Sequence, residues 1–167
     1  MTRRLTLFSL TLLLLVACDP GFDQDYTVSN KSGFDVTLTP SGYYCYRSDF
    51  NAEFDTIRYQ PLIIASLTDT AIYHDGGIGA ADFIMAKYWM QNYLGDSVTL
   101  AFSDGTAITY YSNDTTGISP YNFTSPCYTW EEKVGEPYAG HVYYGKITFN
   151  ISDGHHQAAL SKKGDLQ

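Results

Sequence analysis

Ser97 to Tyr111 constrains the fold of this chain more than any other stretch. Ser97-Val98-Thr99-Leu100-Ala101-Phe102 alternates apolar with small or polar residues, Ser103-Asp104-Gly105-Thr106 interrupts, and Ala107-Ile108-Thr109-Tyr110-Tyr111 resumes the alternation. A period of two puts Val98, Leu100 and Phe102 on one side of a strand, and Asp-Gly between two such runs marks a hairpin whose central residues accept positive φ. A strand pair with one apolar face must be buried against a second layer. Matching pieces lie along the chain. Tyr26 to Asn30 and Phe34 to Thr39 flank Lys31-Ser32-Gly33 and read as another hairpin with one wet face. Residues 54–59 (FDTIRY) and 62–67 (LIIASL) flank Gln60-Pro61, and Tyr128 to Val134 and His141 to Ile151 read as late strands. Seven or eight strands with short connections predict a mainly β domain over residues 26–155. Its expected form is an antiparallel two-sheet sandwich, Ig-like or related. The 15 Tyr, 9 Phe and 14 Gly, against 10 Lys+Arg, suit strands and turns.

One short helix interrupts the strands as an insert. In Ala80 to Leu94, Phe83, Ala86, Met90 and Tyr93 fall on helical spacing, and Gly95 suits the position after the last turn. Gly76-Gly77-Ile78-Gly79 reads as a hinge before it. Ile84, Met85 and Trp89 spread onto other faces, so the helix either covers an end of the sheets or offers an apolar surface to a partner. Asn113 to Ser125 is polar, Thr-rich and broken by Pro, which predicts a surface loop. Residues 156–167 read as a polar C-terminal tail with at most one helical turn over Gln157 to Leu160.

The N-terminus carries an address. Arg3 and Arg4 precede a mostly apolar run from Leu5 to Val16, the layout of a secretory signal peptide, and Asp19-Pro20-Gly21 ends it short of the ~20 apolar residues a membrane span needs. Leu15-Val16-Ala17-Cys18 resembles the lipobox of bacterial lipoproteins. That resemblance implies cleavage after residue 17, acylation of Cys18 with chains such as palmitate, and anchoring by those chains. Residues 18–25, with Asp19, Asp23 and Asp25 after Cys18, then read as a flexible tether. Their acidity is similar to the surface-export signal of Bacteroidetes lipoproteins, whereas in enterobacteria Asp after the acylated Cys favours inner-membrane retention. Loss of Arg3 and Arg4 takes the formal charge from −8 to −10. Such acidity excludes nucleic acid and leaves the lipid to hold the chain to a membrane.

The remaining residues offer little chemistry. Cys45 and Cys127 either pair in a disulfide closing a loop of about 80 residues, worth ~4–5 kcal/mol by chain entropy, or stay as buried thiols. His74, His141 and His155-His156 lack metal-ligand spacing, so no metal site is expected and exposed or incidental histidines are. No nucleophile or phosphate motif appears, and Glu131 or Glu132 could join a glycosidase pair only with a distant Asp. No cofactor and no enzyme activity are expected. Aromatic residues are the better lead. Adjacent pairs such as Tyr110-Tyr111 and Tyr143-Tyr144 point to both sides of a strand, so Tyr110, Tyr144, Trp89 and Trp130 are candidates for stacking on a ligand, or simply fit half-buried sheet surfaces.

Asp followed by Ser or Thr and a small apolar residue or Thr occurs at Thr56, Thr70, Ser97 and Thr115. This pattern is similar to a Bacteroidetes O-glycosylation motif. Lipobox, acidic tether, the strands from Tyr26 and Phe34, the Asp104-Gly105 turn and the Tyr143 to Ser152 run together resemble small Bacteroidetes surface lipoproteins. The resemblance implies a sandwich in the outer membrane envelope, displayed at the cell surface. The expected function is a lipid-anchored, non-enzymatic binding or adhesion module for a glycan or an envelope protein. The alternative is a structural accessory subunit of a larger outer-membrane complex.

Overall fold

A computed structural model describes residues 21–46, 55–78, 83–134 and 143–164. Strands and helices follow in the order β1 (Gly21–Asn30), β2 (Val36–Pro40), β3 (Tyr43–Tyr46), β4 (Asp55–Arg58), β5 (Leu62–Ile64), β6 (Asp69–Ile78), α1 (Phe83–Leu94), β7 (Ser97–Phe102), β8 (Ala107–Tyr111), β9 (Tyr128–Val134), β10 (Tyr143–Ile151) and α2 (Asp153–Gly164). One sheet has the order β6-β1-β10-β9 and the other β5-β2-β7-β8, with β3-β4 as a separate two-stranded ribbon. The two larger sheets pack as the expected sandwich. Val28, Ile147, Phe149 and Ile151 of the first meet Val36, Leu38, Val98, Leu100, Phe102 and Ile108 of the second in one buried core. Each set follows its strand's period of two.

The β7–β8 hairpin forms in the expected register, Ala101 opposite Ala107. Its turn differs in kind. Gly105 alone has positive φ (82°), Gly105 N–H donates to Phe102 O at 2.9 Å and Phe102 N–H to Thr106 O at 2.8 Å. This is a three-residue loop with a glycine bulge rather than the two-residue mirror turn, because Asp104 uses Oδ1 to accept from Thr106 N at 2.9 Å.

Several expectations are corrected. β1 and β2 do not pair as a hairpin but lie in different sheets, and β1 pairs with β10 in parallel, Tyr26 opposite Ile147. The crossing is fixed at Asn30, which is fully buried. Its Nδ2 donates to Phe34 O (2.8 Å) and Ile64 O (3.1 Å), and its Oδ1 accepts from Ser32 N (3.0 Å) and Ser32 Oγ (2.7 Å). Residues 21–25 of the expected tether are the first half of β1, flanked by β6 and β10. Gly76-Gly77-Ile78, read as a hinge, is the end of β6 opposite Asp23, Phe22 and Gly21. Two neighbouring ladders outweigh the poor strand propensity of Gly and Asp there. Residues 1–20, with the signal segment and Cys18, lie outside the described residues, as do 80–82 of the expected helix and His141.

The expected surface loop turns inward at its second half. Ser119, Tyr121, Phe123 and Ser125 are buried, Tyr128 OH donates to Pro120 O at 2.6 Å, and Phe123 stacks on Tyr128 at 4.7 Å. The tail is largely α2, twelve residues long, with Asp153 in its first turn and Lys162 and Lys163 in its last, as the helix dipole favours. Its buried stripe is His155, His156 and Ala159. Histidines stand where hydrophobic residues would ordinarily signal an inner face. His155 Nδ1 accepts from Ser152 N at 3.1 Å and its Nε2–H donates to Ile118 O at 2.9 Å, while burial lowers its pKa.

His156 ties α2 to the hairpin turn. Its Nε2 lies 2.8 Å from Asp104 Oδ2 and its ring lies 4.1 Å from that of Phe34. The hydrogen bond from His156, then those from Thr106, hold the Asp104 carboxyl down at about 2. A folded pKa below the unfolded value of 3.8 stabilises the native state above that value, and the contribution disappears as pH falls through about 2. Asp104→Asn is therefore expected to flatten the acid limb of an unfolding curve followed between pH ~4 and ~2. An acid limb unchanged from wild type would remove this role.

Candidate functional site

An aromatic groove lies between the β3–β4 ribbon and the C-terminal half of α1. Its geometry starts with two glycines. Gly95 ends α1 in the left-handed region (φ 71°), and its N–H donates to Gln91 O at 2.9 Å, satisfying a terminal carbonyl. Ser41 then bonds Leu94 O through its N–H at 3.0 Å, and Ser41 Oγ accepts from Ser97 N at 2.9 Å. Gly42 lies flush against the helix end, where a Cβ would enter the carbonyl oxygens of Asn92 and Tyr93. This contact launches β3 directly across α1, and Tyr59 N–H returns the ribbon by donating to Gly42 O at 3.1 Å.

Between ribbon and helix the surface encloses a groove of about 570 Å³, with Tyr44, Tyr59, Trp89, Gln91, Asn92 and Asp96 among its lining residues. Behind it the rings form a continuous wall. Tyr44 and Tyr59 have centroids 5.4 Å apart, Tyr59 and Tyr93 4.8 Å, and Trp89 lies near-parallel to Tyr73 (4.5 Å, 7°) and to Tyr93 (5.6 Å, 9°). Desolvation raises the pKa of Tyr59 and pushes that of Tyr93 up to about 12, so both phenols stay protonated at neutral pH. The wall is not planar, Tyr59 being tilted 44° from Tyr44 and 60° from Tyr93, and with amides and a carboxylate at its lip it can hold a ring-shaped ligand by contact with ring faces and edges and by hydrogen bonds.

Of Tyr110, Tyr144, Trp89 and Trp130, the stacking candidates named from sequence, Trp89 alone lines this groove. Tyr110 is only 7% exposed, in phase with Ile108, and its buried hydroxyl has no hydrogen-bond partner among the described residues, so it presents no face to a ligand. Trp130 packs 5.7 Å from Phe83 of α1. Tyr144 lies on the outer face of the first sheet, its OH donating to Asp25 Oδ2 at 2.9 Å. Sequence reasoning missed Tyr59, Gln91, Asn92 and Asp96. Gln91-Asn92 just before a helix-ending Gly was a usable signal, but nothing local shows that residues 44 and 59 face it.

Tyr144 belongs to a second polar group. His74 Nδ1 lies 2.8 Å from Asp25 Oδ1, and its Nε2 lies 3.8 Å from Asp23 Oδ1. The hydrogen bond to Asp25 raises the pKa of His74, His74 lowers that of Asp25, and burial followed by Asp25 pushes Tyr144 up to about 12. The cluster joins β6, β1 and β10 side by side at the start of β1. Among the described residues no group of three or more His, Cys, Asp or Glu could hold a metal ion.

The disulfide is corrected: Cys45 is an exposed free thiol on β3 beside the groove, whereas Cys127 is buried and its Sγ lies 3.7 Å from Ile118 O. The ribbon holds one cysteine outside the sandwich and the inward loop holds the other inside it. Among the candidate glycosylation residues, Thr56 on β4 and Thr115 in the loop are exposed, Thr70 on β6 is half-buried, and Ser97 is half-buried inside the sheet on β7. Thr115 thus has the setting a bulky glycan needs and Ser97 the least suitable one. Comparison with protein-family models, with curated proteins and with solved structures finds no match.

Proposed function

We propose that this chain is a non-enzymatic binding module of the cell envelope, held at the outer membrane through acyl chains on Cys18 and displayed at the cell surface. Its ligand is a glycan taken up in the groove between β3–β4 and α1. The observation that carries this reading is the aromatic wall of Tyr44, Tyr59 and Trp89 facing Gln91, Asn92 and Asp96. A sugar ring presents an apolar face to such a wall and hydroxyls to such a lip. Tyr44 and Asn92 are exposed, so their truncation should spare the fold. In a glycan-array screen, Tyr44→Ala and Asn92→Ala are each expected to weaken retention roughly tenfold, the equivalent of about 1.4 kcal/mol, with an unchanged melting temperature. Retention equal to wild type in both variants would exclude the groove. For the anchor, Cys18→Ser is expected to abolish metabolic acyl labelling and release the chain from the membrane fraction; persistence of either would sink it.

A second reading, an accessory subunit docked on a larger outer-membrane complex, draws on the outward face of α1. Ile84, Met85 and Tyr88 are all exposed there, Met85 by 64%. Trp89 packs inward and cannot test this reading, whereas Met85→Asp with Tyr88→Asp can. Loss of a stoichiometric complex after mild detergent extraction would favour it.

A further inference from the structure

β8 is an edge strand of its sheet, and no strand among the described residues pairs with its outer side. Phe102 N–H donates to Thr106 O, and Ser112 N–H donates to Asp96 O. In an antiparallel ladder that parity turns the even-numbered residues of β8 toward β7 and aims the N–H and C=O groups of Ala107, Thr109 and Tyr111 away from the sheet. Tyr111 uses both groups locally: its N–H donates to Asp114 Oδ2 at 3.1 Å and its C=O accepts from Asp114 N at 2.8 Å. Thr109 O accepts from Lys162 Nζ at 3.4 Å. Among the described residues, Ala107 N–H, Ala107 C=O and Thr109 N–H have no hydrogen-bond partner. Beside this edge lies a cavity of about 400 Å³, lined by Gly105, Ala107, Thr109, Tyr111, Lys162 and Lys163.

We propose that this edge receives an extended, acidic peptide segment of a partner protein, which adds a strand alongside β8 and sets a carboxylate against Lys162 and Lys163. The backbone supplies the frame, since groups pointing outward at residues 107 and 109 are the two sites a new antiparallel or parallel neighbour needs. The Lys162 ammonium occupies the place at Thr109 O where an incoming strand would put its own N–H. Displaced from it, the ammonium and its neighbour Lys163 are free to take an anion, and both are exposed in the last turn of α2. The positive pair stands out on a chain whose formal charge is −8, which gives the partner's sign. Within a second copy the segment of matching chemistry is the edge strand β9, with exposed Glu131 and Glu132, and the test below separates it from a partner protein. The open frame is short, so binding depends on the charges and is sensitive to salt.

The test uses the full chain and two blocked peptides of equal length, one alternating Val with Asp and one alternating Val with Lys. With the Asp peptide, the amide resonances of Ala107 and Thr109 shift and their exchange with solvent slows. The Lys peptide leaves them unmoved. Lys162→Glu with Lys163→Glu weakens binding about tenfold, and raising salt from about 50 to about 500 mM acts in the same direction. N-methylation of every peptide amide, which removes the donors of both strand edges, abolishes binding with the protein untouched, so the outcome does not depend on how a variant folds. An equal response to the Lys peptide, binding that survives N-methylation, or no shift at Ala107 and Thr109 in millimolar Asp peptide would each overturn the proposal. Concentration-dependent dimerisation protecting the same two amides without peptide would also overturn it, in favour of a second copy.

Discussion

Replacing Gly42 by Ala is expected to destabilise the native state by about 4 kcal/mol and lower the melting temperature by roughly 10 °C or more. The new Cβ would lie inside the contact shells of Asn92 O and Tyr93 O, which are backbone atoms at the helix end and cannot swing aside. Ser41 and the start of β3 would have to lift away from α1, opening the floor of the groove. Gly95→Ala meets the same place from the other side, against Ser41 and Gly42, and adds the cost of an L residue at φ 71°. The double variant is expected to cost clearly less than the sum, since the first substitution already separates the two segments. Gly105→Ala provides the control. It has a positive φ of 82° but open space around its missing Cβ, and should lose only ~1 kcal/mol. Thermal unfolding of the set decides the matter, and a Gly42→Ala protein as stable as Gly105→Ala would show that the close contact is not built as described.

Asn30→Ala is expected to cost about 4–5 kcal/mol, because it strips partners from several buried backbone groups at once. Phe34 O, Ile64 O and Ala65 O lose the Asn30 amide, Phe34 O keeping Ser32 Oγ at 3.1 Å, and Ser32 N loses its acceptor, each bond worth ~1–3 kcal/mol when left unmade. Asn30→Asp has the same shape but faces carbonyl oxygens with a carboxylate, so its loss should be at least as large at neutral pH. Its pH dependence has a definite sign. The introduced carboxyl is held above its unfolded pKa by burial among acceptors, so that variant should gain stability as pH falls toward ~4, while the rest of the chain does not. Chemical denaturation of both variants at pH 7 and near pH 4 checks this; an Asp variant that does not improve on acidification would contradict the arrangement around Asn30.

The sandwich and its hairpin were legible because Ser97 to Tyr111 states both the period and the turn. α1 was legible for the same reason, its buried Ala86, Met90 and Tyr93 keeping helical spacing up to Gly95. Sheet membership was not. A period of two says which side of a strand is apolar and nothing about its neighbours, so β1 was read with β2 rather than β10. β6 and the first half of β1 lack apolar alternation because one side carries the Asp25, His74 and Tyr144 group. α2 stayed hidden because His155 and His156 occupy its inner stripe. The inward turn of Ser119 to Ser125 depends on the nearby Tyr128 but also on Leu94 and His155, neither of them local. Tyr110 is a different case: its shared phase with Ile108 was visible in the sequence, and correct use of it would have removed Tyr110 as a ligand-stacking residue. Only Trp89 of the groove was read as functional. Tyr44, Tyr59 and Asn92 become a site through the contact of Gly42 with the end of α1, which no spacing announces.

The parallel pairing of β1 with β10 sets the order in which this chain can be made. β1 occupies an inner position of its sheet, yet the partner on one side lies about 120 residues further along the chain, so its ladder closes late and at the loop-entropy cost of high contact order. Until residue 151 is available, Tyr26, Val28 and Asn30 have an empty flank, and the sheet is missing the strand that joins β9 to it. A nascent chain therefore pairs β1 with β6 early but completes this sheet only after β10 has emerged. Shortening the chain into β10 would act far along the sequence, leaving β1 with β6 alone and an open flank on its other side.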